Sequence, residues 1–216
     1  MSGIATNADT PYTPTGFAKL DNELDGGLYA GLYVVGVISS LGKTTLILQI
    51  SDQIAQGGRD VLIFSLEMAR TELMAKSISR HTFLDASAKG ETKSAKTARG
   101  ITTGKRYGGY SPAERECIAG AVKAYGEYAE RLYISEGMGD IGAGQVGEAV
   151  KRHILLTGNL PVVVIDYLQI LAPHNERATD KQNTDKAVLE LKRISRDYNT
   201  PVIGISSFNR GTTKNL

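Results

Sequence analysis

The apolar runs of this chain are too continuous to lie on a sheet with one wet face, and that restricts the fold more than any other feature. Leu32–Ile38 (LYVVGVI), Asp60–Ser65 (DVLIFS), Pro161–Ile165 (PVVVI) and Pro201–Ser206 (PVIGIS) are rich in β-branched residues and barely alternate with polar ones. Strands of this kind are buried on both faces, the situation of a parallel sheet between two helical layers. The intervals carry helical spacing. Leu46, Ile47, Ile50 and Ile54 form a stripe in Thr44–Gln56, and Gly57-Gly58 supplies a left-handed stop. Leu73, Met74 and Ile78 do the same in Thr71–Arg80, as do Val188, Leu191, Ile194 and Tyr198 in Thr184–Tyr198. Ser111-Pro112-Ala113-Glu114 offers a capping hydroxyl, a proline at the first helical position and a glutamate at the third, so a helix is expected from there to about residue 131. Leu132–Ser135 reads as a short strand and Gln145–Leu156 as a helix stopped by Gly158. Strand and helix alternate, which predicts an α/β fold with a mostly parallel twisted sheet, helices on both faces and sites at the carboxyl ends of strands.

Residues 83–110 interrupt the rhythm with Lys89, Lys93, Lys96, Arg99, Lys105 and Arg106 among glycines, and read as a mobile basic loop. The basic stretch 89–106 has no interleaved aromatic residues beyond the adjoining Tyr107 and Tyr110, so a solvated loop competes with a nucleic-acid contact there. A length of 216 residues suits one domain, expected over 15–216, with 1–14 as an extended lead-in. The 25 basic and 23 acidic residues leave +2, so any nucleic-acid contact must be local rather than a property of the whole surface. One cysteine, Cys117, excludes an internal disulfide, and His81, His153 and His174 share no metal-ligand spacing. With no signal pattern and no apolar run of membrane length, the expectation is a cytoplasmic protein without a membrane partner.

Chemistry concentrates just after the strands. The first is followed by Ser39-Ser40-Leu41-Gly42-Lys43-Thr44-Thr45, which contains the Gly-Lys-Thr core of a phosphate-binding loop. In such a loop the backbone N–H groups and the helix N-terminus form an anion site, the lysine reaches the β and γ phosphates, and the hydroxyl of Thr44 ligates Mg²⁺. The full pattern has glycine five positions before Gly42, where this chain has Val37. The second strand ends Phe64-Ser65-Leu66-Glu67-Met68, which puts Glu67 where a hydrolase orients attacking water; the plainer alternative is an acid favouring a helix N-terminus. Asp166, after the third long apolar run, fits a carboxylate that holds Mg²⁺ through water. Ser207, Asn209 and Arg210 follow the last strand, where they could sense a γ-phosphate or simply form an exposed loop. Arg177 and Lys181, in the polar stretch after Asp166, are candidate DNA contacts.

Thr15-Gly16-Phe17, Leu20-Asp21, Gly26-Gly27-Leu28, SLGKTT, FSLEM, IDYLQIL and SSFNR occur in this order over residues 15–210. The set resembles the RecA-like motor domain of DnaB-type replicative DNA helicases. That resemblance implies a RecA-like P-loop NTPase fold and a homo-hexameric ring that hydrolyses ATP with Mg²⁺ and moves 5′ to 3′ on single-stranded DNA. It also implies a primase or helicase loader as partner. By matching positions, Lys43 and Thr44 would bind phosphate and Mg²⁺, Glu67 would activate water, and Asp166 would support the metal. Ser207 stands where the family has a glutamine in its sensor motif. The family continues past the sensor strand to an arginine finger and its main DNA-binding loop, so either a motor domain truncated at its C-terminus or a reduced relative is expected. Two other readings stay open: a RecA-like ATPase that does not unwind DNA, such as a loader, recombination mediator or regulatory ATPase, and a nucleotide-binding assembly module without turnover.

Overall fold

The computed structural model describes residues 10–38, 42–137, 141–175 and 177–208. Five strands form one sheet: β1 (Gly31–Ile38), β2 (Val61–Ser65), β3 (Leu132–Glu136), β4 (Val162–Asp166) and β5 (Pro201–Phe208). Their order across the sheet is β1-β5-β4-β2-β3, and every neighbouring pair is parallel. The helices are α1 (Ala18–Glu23), α2 (Lys43–Gln56), α3 (Arg70–Ala88), α4 (Ala98–Thr102), α5 (Gly104–Gly108), α6 (Pro112–Gly126), α7 (Ala143–Thr157) and α8 (Asp180–Asp197). None of them is long and apolar enough to cross a membrane, among the described residues.

The absence of alternation in the strand sequences has the expected cause. Successive side chains of a strand point to opposite faces, and both faces are covered. Val61, Ile63, Val162, Val164, Ile203 and Ile205 pack with Ile47, Ile50 and Ile54 of α2, Leu73 and Ile78 of α3 and Ala121 of α6. Leu62, Phe64, Val163, Ile165 and Val202 pack on the other side with Val146 and Val150 of α7 and Leu191 and Ile194 of α8. All five residues of β4 are buried, as the central strand of such a sandwich must be.

Several boundaries move for local reasons. The helix expected over Thr71–Arg80 extends from Arg70 to Ala88, because Ala86 continues its buried face. The helix expected from Thr184 begins at Asp180: Thr179 Oγ1 accepts from Gln182 N at 3.3 Å, and Gln182 Oε1 accepts from Thr179 N at 3.0 Å. That box is visible in the sequence as Thr-x-x-Gln, ahead of the apolar stripe. Ser111 caps α6 in the expected way, accepting from Glu114 N at 3.3 Å. Gly58 and Gly158 take left-handed φ of 89° and 74° at the ends of α2 and α7.

The reading of 83–110 as a mobile loop is corrected. After α3 the chain forms a 3₁₀ turn (Thr92–Ser94), α4 and α5, and this lobe is tied back to α3. Ser79 Oγ donates to Lys96 O at 2.6 Å, and Lys96 N donates to Thr82 Oγ1 at 2.9 Å. Tyr110 OH closes the lobe on Gly100 O at 3.1 Å.

At the amino-terminal edge of the sheet Asp60, 3% exposed, accepts from His153 Nε2 (3.0 Å), Asn159 Nδ2 (2.9 Å) and Arg131 Nη1 (3.3 Å). That clamp fixes one edge and leaves the opposite edge, where all five strands end, for chemistry.

Candidate nucleotide site at the carboxyl edge of the sheet

Gly42 opens α2 in the left-handed region, with φ 84°. Glycine takes this conformation without the steric cost a side chain brings, and it turns the chain from β1 into a helix whose first residue is Lys43. The first-turn N–H groups of α2 therefore face the strand ends, with the positive end of the helix dipole behind them. Ser39, Ser40 and Leu41, expected to complete the loop, lie outside the described residues. Thr45 follows in the first turn of α2.

Lys43 and Thr44 are each held by a group from a different strand. Thr44 Oγ1 donates to Asp166 Oδ2 at 2.6 Å, joining residues 122 positions apart. Lys43 Nζ lies 3.9 Å from Glu67 Oε2 and 4.2 Å from the centroid of the Tyr167 ring. Glu67 is half-exposed, so this long pair is weakly held.

Asp166 is nearly fully buried, and its Oδ1 has no hydrogen-bond partner among the described residues. Burial raises its pKa and the neighbouring Glu67 carboxylate adds to the rise, while the Thr44 hydroxyl and Lys43 oppose it. A buried carboxylate oxygen without a partner, beside a threonine hydroxyl, is the hard-oxygen donor set that a small divalent cation takes. The residues present therefore fit Mg²⁺.

The backbone fixes this geometry. Ser65 and Asp166 are register partners on β2 and β4, and Leu66 N donates to Asp166 O at 2.9 Å just beyond the ladder. Ser65 Oγ donates to Met68 O at 2.6 Å and accepts from Met68 N at 3.3 Å, closing the turn that presents Glu67. The Asp166–Tyr167 peptide bond is cis.

Lys43, Thr44, Glu67 and Asp166 thus converge from the ends of β1, β2 and β4. Ser207 pairs with Val37 in the β5–β1 ladder, so its backbone reaches the same edge. Asn209 and Arg210 lie outside the described residues. Arg177 and Lys181 are exposed on the segment from β4 into α8, with no polar contact to Lys43, Glu67 or Asp166 among the described residues.

Sequence reasoning missed three residues here: Ser65, Tyr167 and Gln169. Gln169 Nε2 donates to Ser206 Oγ at 2.9 Å, bridging the exit of β4 to the end of β5. Ser65 and Gln169 sit inside the quoted FSLEM and IDYLQ strings, but only the strand order gives them partners. The larger concavities lie elsewhere. One of about 420 Å³ runs along α8 between His174, Glu190 and Arg193 and holds none of the site residues.

The family described as DnaB-like helicase C terminal domain matches residues 13–215. Replicative DNA helicase DnaB of Haemophilus influenzae is 26% identical over 214 residues, covering 97% of this chain and 42% of the relative. Replicative DNA helicase DnaC of Bacillus subtilis is 28% identical over 200 residues, covering 92% of this chain and 40% of the relative. The chain thus spans about two fifths of these relatives. Among solved structures, an ATPase domain superposes with a TM-score of 0.80 at 19% identity, covering 97% of this chain and 69% of that one. A DnaB-like replicative helicase studied with its primase interactions gives 0.77 at 18%, covering 97% and 46%. These likenesses bear out the RecA-like fold. With a match over nearly its whole length, the chain belongs to the DnaB-like helicase C-terminal domain family.

Proposed function

We propose that this chain is the motor domain of a replicative DNA helicase, coupling hydrolysis of Mg-ATP to movement along single-stranded DNA. The observation that carries the reading is the contact between Thr44 and Asp166 with Lys43 and Glu67 beside it, because it assembles a cation, two metal-type oxygen donors and a base candidate at one strand edge. The first-turn amides of α2 and the loop of residues 39–45 cradle the phosphates, and Lys43 leaves Glu67 and Tyr167 to neutralise the γ-phosphate. Thr44 Oγ1 and the Asp166 carboxylate, whose Oδ1 has no hydrogen-bond partner among the described residues, would hold Mg²⁺, Asp166 through water. The ion, when bound, supplies charge neutralisation at the phosphate oxygens. Glu67, released from Lys43, orients a water for in-line attack. Ser207, near the end of β5, together with Asn209 and Arg210 beyond it in the chain, senses the γ-phosphate, and Arg177 and Lys181 contact DNA.

Family membership supports a cytoplasmic, ring-shaped homo-hexamer that meets a primase or a helicase loader. Steady-state ATP hydrolysis with Mg²⁺, with and without single-stranded DNA, tests the reading. Hydrolysis lost in Lys43→Ala, and stimulation by DNA in the wild type, are expected. Undiminished turnover in Lys43→Ala would remove the site assignment.

A further inference from the structure

The charge of this protein is not evenly spread. Six of its 25 basic residues and one of its 23 acidic residues fall between 89 and 110, a local +5 that leaves the rest of the chain at −3. The structure divides these cations into two groups. Lys89 pairs with Asp85 at 2.8 Å, and Lys96 with Glu114 at 2.6 Å while lying over the Tyr110 ring, so both serve the lobe itself. Lys93, Arg99, Lys105 and Arg106 are exposed and enter no ion pair among the described residues. They sit on the 3₁₀ turn, α4 and α5, elements tied to α3 through Lys96 and closed by Tyr110, so much of the ordering cost of a loop has already been met by folding.

Beside them Tyr107 is 41% exposed, with Tyr110 edge-on at 6.2 Å and the Arg115 guanidinium 5.9 Å from its ring centroid. Unpaired cations around an exposed, braced aromatic ring match a phosphate backbone with a base to stack, whereas an acidic peptide would need the cations alone. The lobe is separate from the nucleotide site: its ties to α3 begin at Ser79, and Thr82 lies 12 residues, or about 18 Å of helix, from the Arg70 end beside Glu67.

We propose that this lobe is a second nucleic-acid contact, in which Lys93, Arg99, Lys105 and Arg106 bind the phosphates of a single strand and Tyr107 stacks on one base. The surface is argued from charge and geometry and does not rest on the nucleotide reading.

The test is fluorescence anisotropy of a labelled 20-residue oligothymidylate, without nucleotide, at 50 and 200 mM salt. The proteins compared are the wild type and the combined variant Lys93→Gln, Arg99→Gln, Lys105→Gln, Arg106→Gln. Four phosphate contacts contribute about 3 to the log–log salt slope, so the wild type should lose about 50-fold more affinity over that range than the variant. Tyr107→Leu should weaken binding by about 5-fold or more with the slope unchanged, and Tyr107→Phe should restore it. The four cations are exposed and unpaired, so an unchanged urea midpoint is expected and shows the combined variant folded. Equal affinity and slope in the wild type and that variant would overturn the proposal. So would poly-glutamate of equal length binding the lobe as tightly as the oligonucleotide, which would assign the surface to an acidic protein segment. Arg177→Ala/Lys181→Ala, measured alongside, reports on the other candidate contact and leaves the lobe's contribution intact.

Discussion

Gly204→Ala is a one-methyl perturbation whose effect follows from the packing between β5 and the turn after β4. Gly204 lies in the ladder between Val34 of β1 and Ile165 of β4. A Cβ added there would stand 2.7 Å from Leu168 Cδ2, 2.9 Å from its Cγ and 3.0 Å from its Cδ1. Carbon atoms rest at about 3.5–4.0 Å, so Leu168 must retreat by about 1 Å. It is only 4% exposed and packs among the residues of the second core cluster, so it has no open space to enter. Overpacking of this kind costs about 1–3 kcal/mol, and Leu168→Ala alone costs about 2–5 kcal/mol through its cavity. The two changes share one volume, so the double variant should be more stable than the sum of the singles predicts, by about 1–2 kcal/mol, read from urea unfolding. Leu168 is also two residues from Asp166, and its turn carries the Gln169 bridge to Ser206. Mg²⁺-dependent ATP affinity should therefore fall in Gly204→Ala and recover in part in the double variant. Strict additivity of the unfolding energies, within about 0.5 kcal/mol, would refute the steric argument.

Other consequences are equally measurable. Glu67→Gln keeps the size of the side chain and removes the base, so ATP binding should persist while turnover falls by about 10²–10⁴-fold; a fall below tenfold would assign Glu67 to the helix terminus instead. Ser65→Ala deletes the bond to Met68 O and frees the turn that presents Glu67, with an expected loss of about 1–2 kcal/mol in unfolding and a lower kcat at constant KM. Asp52 of α2 is buried against Ser77 (3.1 Å) and Arg80 (3.0 Å) of α3, and desolvation, only partly offset by these partners, pushes its pKa up to about 6. Because the folded pKa lies above the unfolded one of about 3.8, the native state binds the extra proton between the two values. This contribution is fully present below about pH 4 and is lost as pH rises through 6. Urea stability at pH 4.5 relative to pH 7.5 should favour the wild type over Asp52→Asn by about 2 kcal/mol more at the lower pH, and a pH-independent difference would show that Asp52 does not titrate in this window.

The strands, most helices, Gly42, Lys43 and Thr44 were legible from the sequence because each is a local property. Periodicity of 2 or 3.6 is set by neighbouring residues, and a loop that turns a strand into a helix needs its glycine and lysine within a few positions. The sequence also placed Glu67 and Asp166 at strand ends. It could not place them beside Lys43, since an apolar run does not state which strand it pairs with. The order β1-β5-β4-β2-β3 decides that Asp166 meets Thr44 across 122 residues and that Glu67 reaches Lys43. The same limit explains why Tyr167, Ser65 and Gln169 went unread: a ring beneath an ammonium, a hydroxyl closing a turn and an amide bridging two strand ends are defined by partners rather than by residue type. It explains the basic segment as well. Its glycines and charges carry no helical stripe, and the short helices exist because Ser79 and Thr82 of α3 and Tyr110 supply bonds that hold them in place. Residue type and local spacing are properties of neighbouring positions and are the same whichever strands pair; what a residue touches depends on chain closure over long separations, which only the assembled sheet provides.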